Sequence, residues 1–114
     1  MSSSDTERSY LPVADPAARP RQSRVTVRVI MIDNDRTLLF EDSDPGVPGT
    51  SWWTTPGGGI DDGESEVYAA LREVAEETGY RLTESELQGP IAKRHVVHGY
   101  SDLVIEQDES FFLA

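Results

Sequence analysis

The chain contains no cysteine. That absence removes disulfides, thiolate nucleophiles and cysteine-based zinc sites. Basic side chains are scarce as well: 10 Lys and Arg stand against 21 Asp and Glu, for a formal net charge of −11. A surface of that sign repels nucleic-acid phosphates and anionic bilayers, so neither a nucleic acid polymer nor a membrane is expected as a partner. A small phosphorylated ligand stays compatible with it where metal cations mediate the contact. Long apolar runs are also missing. Nothing approaches the roughly 18–20 residues that span a bilayer, and Met1 to Arg21 lacks the apolar core of a signal peptide. A cytoplasmic location is the default expectation. Apolar residues make up 37% of the 114, a low share for one small domain, and part of the deficit lies at the N-terminus.

What is present divides the chain at about Ser23. Residues 1–23 are rich in Ser, Pro, Asp, Arg and Ala without periodicity, and read as a disordered arm. The ordered domain is expected over 24–114. Val25, Val27, Val29 and Met31 alternate along the first strand, Asp33 to Asp35 supply a turn, and Arg36 to Glu41 returns as its hairpin partner. Asp42 to Ser51 reads as an exposed loop, and Trp52 to Thr55 as a short strand stopped by Pro56. Gly57, Gly58 and Gly59 suit no regular element. Ser65 is a good N-cap for a helix running to about Thr78, with Gly79 as its left-handed terminator and Val67, Ala70, Leu71 and Val74 as its apolar stripe. Leu82 to Pro90 is expected as a loop or short helical turn, followed by strands over Ile91 to Val97 and Glu106 to Leu113. The chain stops on Phe111, Phe112, Leu113 and Ala114, which suggests an incomplete domain with an apolar patch beside an open strand edge. Such a chain is expected to be marginally stable alone, or to form a homodimer.

The chemistry concentrates between Gly58 and Tyr80. On a helix, residues three and four apart share a face, so Glu73, Glu76 and Glu77 crowd one side of the last two turns. Like charges at that spacing cost about 0.2–0.5 kcal/mol per pair, and the negative end of the helix dipole adds to the strain. Arg72 can relieve Glu76 across one turn but cannot neutralise all three. A hard divalent cation can. The glycines before the helix allow close backbone approach, and a free carbonyl there could ligate a metal. Bound Mg²⁺ would polarise phosphoryl oxygens and activate a coordinated water.

These residues resemble the Nudix box: a Gly, five residues, a Glu, seven residues, then Arg-Glu-apolar-any-Glu-Glu-any-Gly-apolar. Here it reads Gly58, Glu64, Arg72, Glu73, Val74, Glu76, Glu77, Gly79 and Tyr80, a match whose chance frequency is on the order of one in a billion per start. Trp53 and Pro56-Gly57-Gly58 are similar to the family's approach to the box. The resemblance implies a Nudix-type α/β/α sandwich around a mixed sheet, with a further strand and second helix beyond this chain's end. It implies a hydrolase that cuts a diphosphate linkage in a nucleoside diphosphate derivative or related compound, using Mg²⁺ with Mn²⁺ as a substitute. Glu73, Glu76 and Glu77 correspond to the metal-binding carboxylates, with Glu73 also a candidate base and the Gly58 carbonyl a further ligand. Arg72 and Glu64 correspond to residues that orient them. A downstream carboxylate is expected, for which Glu106 and Glu109 are candidates.

Other residues carry two readings each. Arg28 could meet substrate phosphate, though a side chain snorkelling at the sheet rim is the default. Trp52 and Trp53 must face opposite ways on a strand, one toward the core and one toward substrate or solvent. His95 and His98, three apart on a strand, cannot share a metal. The acidic helix face by itself would be an ordinary solvated surface. The rivals to the hydrolase are a Nudix-like binding or regulatory domain and an inactive fragment.

Overall fold

The computed structural model describes residues 11–114. Its strands and α-helix are β1 (Arg21–Ile30), β2 (Ile32–Asp33), β3 (Arg36–Thr37), β4 (Phe40–Asp42), β5 (Trp52–Thr54), β6 (Gly57–Gly59), α1 (Glu66–Thr78), β7 (Gln88–Gly99) and β8 (Val104–Leu113), with short 3-10 turns at Pro16–Ala18 and Glu84–Glu86. Four strands form a mixed sheet in the order β6-β1-β8-β7, with β1 parallel to β8 and the other pairs antiparallel. No helix among the described residues is long and apolar enough to cross a membrane.

Alternation in β1 builds the core. Val27 and Val29 point to one face and meet Ala69, Ala70 and Val74 of α1 and Phe112 of β8, all fully buried. The helix begins and ends as its sequence dictates: Ser65 Oγ accepts the Tyr68 N–H at 3.1 Å, and Gly79 takes the left-handed conformation at φ 81°. The buried stripe is turned from the expected one. Ala69 and Glu73 are buried with Ala70 and Val74, whereas Leu71 is only half-buried. The small side chains let the helix sit close to the sheet, and the close seat draws Glu73 inward.

Several expectations are corrected. Residues 1–10 of the expected arm lie outside the described residues, but β1 already starts at Arg21. The preceding segment is tied to the body through Val13 N–H on the Ser101 carbonyl at 2.8 Å and Val104 N–H on the Pro20 carbonyl at 2.7 Å. The hairpin after β1 is only a two-residue ladder, β2 with β3, around Asn34 at φ 55°. Phe40–Asp42 instead pairs with Trp52–Thr54. In the loop between them, buried Asp44 accepts hydrogen bonds from Ser101 N–H and Oγ. The Gly triplet is itself a strand. Finally, β8 lies between β1 and β7, so Phe111 to Leu113 do not flank an open edge, and Phe112 is fully buried.

Candidate active site

The bare strand β6 shows why its sequence is Gly-Gly-Gly. It pairs antiparallel with β1 in the register Thr26 to Gly59, Val27 to Gly58 and Arg28 to Gly57. Bonds from Val29 N–H to the Pro56 carbonyl and from Ile60 N–H to the Val25 carbonyl fix the alternation. By that alternation Gly58 exchanges bonds with Val27, while Gly57 and Gly59 turn their polar groups outward. The outward groups meet α1. Gly57 N–H lies on the Glu77 side and favours the charged form of that carboxyl, and the Gly59 carbonyl accepts from Arg72 Nη2 at 3.0 Å. The helix packs so tightly here that a Cβ on Gly58 would lie 2.7 Å from the Glu73 carboxyl carbon.

Arg72 organises the acidic groups. Its Nε and Nη2 form a two-pronged contact with Glu64 at 2.6 and 2.8 Å. Its Nη1 donates to Glu73 at 2.9 Å and, more weakly, to Glu76 at 3.3 Å. Glu64 also accepts the Asp61 N–H at 3.0 Å, closing the loop before the helix. Hydrogen bonding to Arg72 is the main reason the Glu64 pKa is lowered, and it likewise raises that of Arg72. This explains the seven-residue gap between Glu64 and Arg72: loop and helix are joined by a guanidinium–carboxylate fork.

Glu73 and Glu77 are brought together. Glu73 is 1% exposed, and Glu77 shares a hydrogen bond with it. Loss of water around the Glu77 carboxyl, then that bond and repulsion from Glu73, push its pKa above the usual carboxylate range, although the outer part of Glu77 remains exposed. Two carboxyls held this close form a donor set suited to a hard divalent cation. Gly58 commits its carbonyl to one bond with Val27, which leaves the second lone pair. Glu76 stands apart on Arg72, so the expected group is assembled as a pair with an outlying member. Among the described residues no three acidic or His side chains converge as a ready-made metal cage.

The remaining candidates separate. Arg28 is not a rim residue: its side chain is 16% exposed and its Nε donates to Glu109 Oε2 at 3.2 Å. Glu109 is buried and accepts from Arg28, from Arg94 and from Gln107 Nε2 at 2.9 Å. Burial would raise its pKa, but the arginines outweigh burial and hold it low. Glu106 pairs with Arg21 at 3.7 Å, away from Glu73. Trp53 is 65% exposed, while Trp52 leans on Tyr100 with ring centroids 5.9 Å apart. His95 meets Asp108 at 2.8 Å and His98 faces Tyr100, on opposite sides of the strand as spacing requires. Arg94 and Gln107 join the site without any signal from a local motif. The available signal was Arg94 at the same parity as Val96 on an alternating strand, but its partner Glu109 is 15 residues away.

Comparison with known proteins points to one family. The NUDIX domain model matches residues 22–114. Nudix hydrolase 25 of Arabidopsis thaliana is 47% identical over 60 residues, covering 53% of this chain and 33% of that protein. An RNA pyrophosphohydrolase of a Psychrobacter species is 36% identical over 98 residues, covering 79% of this chain and 54% of the relative. The solved NUDIX hydrolase from Nitrosomonas europaea superposes with a TM-score of 0.57 at 26% identity, over 81% of this chain and 59% of its own. The chain therefore spans between a third and just over half of these two relatives' lengths. With the domain match running from β1 to the last residue and the full box set on β6 and α1, this chain belongs to the Nudix family.

Proposed function

We propose that the chain hydrolyses a diphosphate linkage in a nucleoside diphosphate derivative or related small phosphorylated compound, with Mg²⁺ as working cation and Mn²⁺ as a substitute. The observation that carries this reading is the Glu73–Glu77 pair, with Glu73 pressed against the buried, side-chain-free backbone of Gly58 and fixed from behind by Arg72. When bound, the cation would polarise phosphoryl oxygens and make water a better nucleophile. The chain's own residues supply the rest. Arg72 holds the Glu73 carboxyl in one orientation, and Glu64 holds Arg72. Gly58 leaves room for Glu73 to lie against the strand.

The test is turnover and cation binding in Glu73→Gln and Glu77→Gln. Each should lower hydrolysis of a nucleotide diphosphate panel by about a hundredfold or more, and weaken Mg²⁺ binding, since each loses a charged ligand. A Glu77→Gln protein with undiminished turnover and unchanged metal dependence would refute the proposal. Cation binding without turnover in the parent chain would favour the binding or regulatory reading. A second substrate reading has one observation behind it: relatives 36–37% identical are named RNA pyrophosphohydrolase. The net charge of −11 opposes a polymer ligand, so a triphosphate-ended RNA oligonucleotide belongs in the panel beside free nucleotides.

A further inference from the structure

Outside the acidic cluster, the sheet face opposite the α1 core carries a buried polar row. Glu109 of β8 lies between Arg28 of β1 and Arg94 of β7, and in register it stands opposite both Thr26 and Arg94. Each arginine gives Glu109 a contact from Nε. Two arginines and one carboxylate leave a local excess of positive charge in a chain of net −11. A purely structural ion pair would favour the two-pronged geometry that Arg72 makes with Glu64. Here the side-on contacts spare the outer nitrogens. Arg28 Nη1 donates to the Thr55 carbonyl at 3.3 Å. Arg28 Nη2 and both Nη atoms of Arg94 have no hydrogen bond among the described residues. Thr26, fully buried in the same row, also has its hydroxyl unpaired there. The Arg94 side chain is 56% exposed and lies over the Phe111 ring at 5.3 Å, which holds it flat on the sheet.

We propose that Arg28 and Arg94, braced by Glu109, form a two-guanidinium seat for a phosphate of the substrate beyond the linkage that is cut. The seat adjoins the acidic pair, because Arg28 stands opposite Gly57 in register and its charge acts on Glu77. It extends away from that pair across β8, roughly 10 Å from β1 to β7 at about 4.8 Å per strand. A substrate that fills it carries more charge than a bare diphosphate: a nucleoside triphosphate or longer polyphosphate. The seat also gives Glu109 the role of a positioning residue and not of a metal ligand. This deepens, and rests on, the hydrolase reading above.

The test is calorimetric titration, with Mg²⁺ present, of methylene-bridged analogues of a nucleoside diphosphate and a nucleoside triphosphate. The parent chain should favour the triphosphate by about tenfold or more, the scale of one charge-assisted contact. Arg94→Gln should reduce that preference to within about threefold. Glu109→Gln should reduce it too, while Mn²⁺ affinity measured by electron paramagnetic resonance stays at the parent value. Lys93→Gln removes a neighbouring charge on the other face, where Lys93 pairs with Glu66, and should keep the preference. A folded Arg94→Gln protein that retains the full preference overturns the seat, and loss of Mn²⁺ binding in Glu109→Gln overturns the positioning role. If neither analogue binds with Mg²⁺, the hydrolase reading fails on its own account. Metal-free tripolyphosphate then decides the seat: binding that Arg94→Gln abolishes supports it, and no binding refutes it.

Discussion

Arg72 and Gly58 show how single positions set the site. Arg72 is mostly buried and reaches Glu64, Glu73, Glu76 and the Gly59 carbonyl from one guanidinium. It is the fixed point from which Glu73 is aimed. Gly58 matters because of what it lacks. Its missing Cβ is the space that the Glu73 carboxyl uses, and any side chain there would meet all three atoms of that carboxyl within 2.8 Å. Glu73 has little freedom to retreat, since it is 1% exposed and held by Arg72 and Glu77. Gly58→Ala should therefore cost about 1–3 kcal/mol of stability, the range for overpacking. It should also abolish most turnover. Thermal melts beside an activity assay check this; normal turnover would mean that Glu73 need not lie against β6.

At the scale of elements, α1 serves two ends. Its N-terminal half packs Ala69 and Ala70 on the sheet, and its C-terminal half delivers Glu73, Glu76 and Glu77. The cap sets where it starts and hence which residues face β6. Removing the cap should weaken the helix without touching the acidic groups. Ser65→Ala is expected to lower stability by about 1 kcal/mol. Mg²⁺ affinity, measured well below the melting temperature, should match that of the parent. A fall in cation affinity as large as that in stability would show that helix position and site are coupled more tightly than the packing suggests. Strand β6 is the complementary element. With no side chains of its own, it offers backbone alone, and α1 binds its Gly59 carbonyl through Arg72.

Across the whole molecule, charge decides behaviour in acid. Glu64 and Glu109 both have lowered pKa values in the folded state, from Arg72 in one case and from Arg94 and Arg28 against burial in the other. A group with a depressed folded pKa contributes its stability fully above its unfolded value, about 4.3 for Glu. That contribution is lost as pH falls through the folded value. Melting temperature should thus drop steeply below about pH 4.5, in addition to the relief of net negative repulsion, which acts the other way. In Glu109→Gln the low-pH slope should be shallower, since that proton is never taken up. Equal slopes in melts between about pH 3 and 6 would place the acid sensitivity elsewhere.

Whatever depends on local spacing was legible in the order of residues. The box residues lie within 23 consecutive positions, and most of them on one helix, so helical geometry and capping chemistry placed Glu73, Glu76, Glu77 and both ends of α1 without knowledge of the rest. The strand character of β1 and β8 was legible from alternation for the same reason. The rest depends on which strands are neighbours, which folding alone establishes. Gly57 to Gly59 suited no regular element by sequence because their strand comes from pairing with β1, which no local propensity signals. Glu73 is buried, not on a solvated helix face, because α1 sits close against that strand. The end of β8 became interior because the long β7 covers its far side. Arg28, Arg94 and Glu109 meet only because β1 and β7 flank β8, and backbone hydrogen bonding across distant segments, not their spacing in the chain, brings them together.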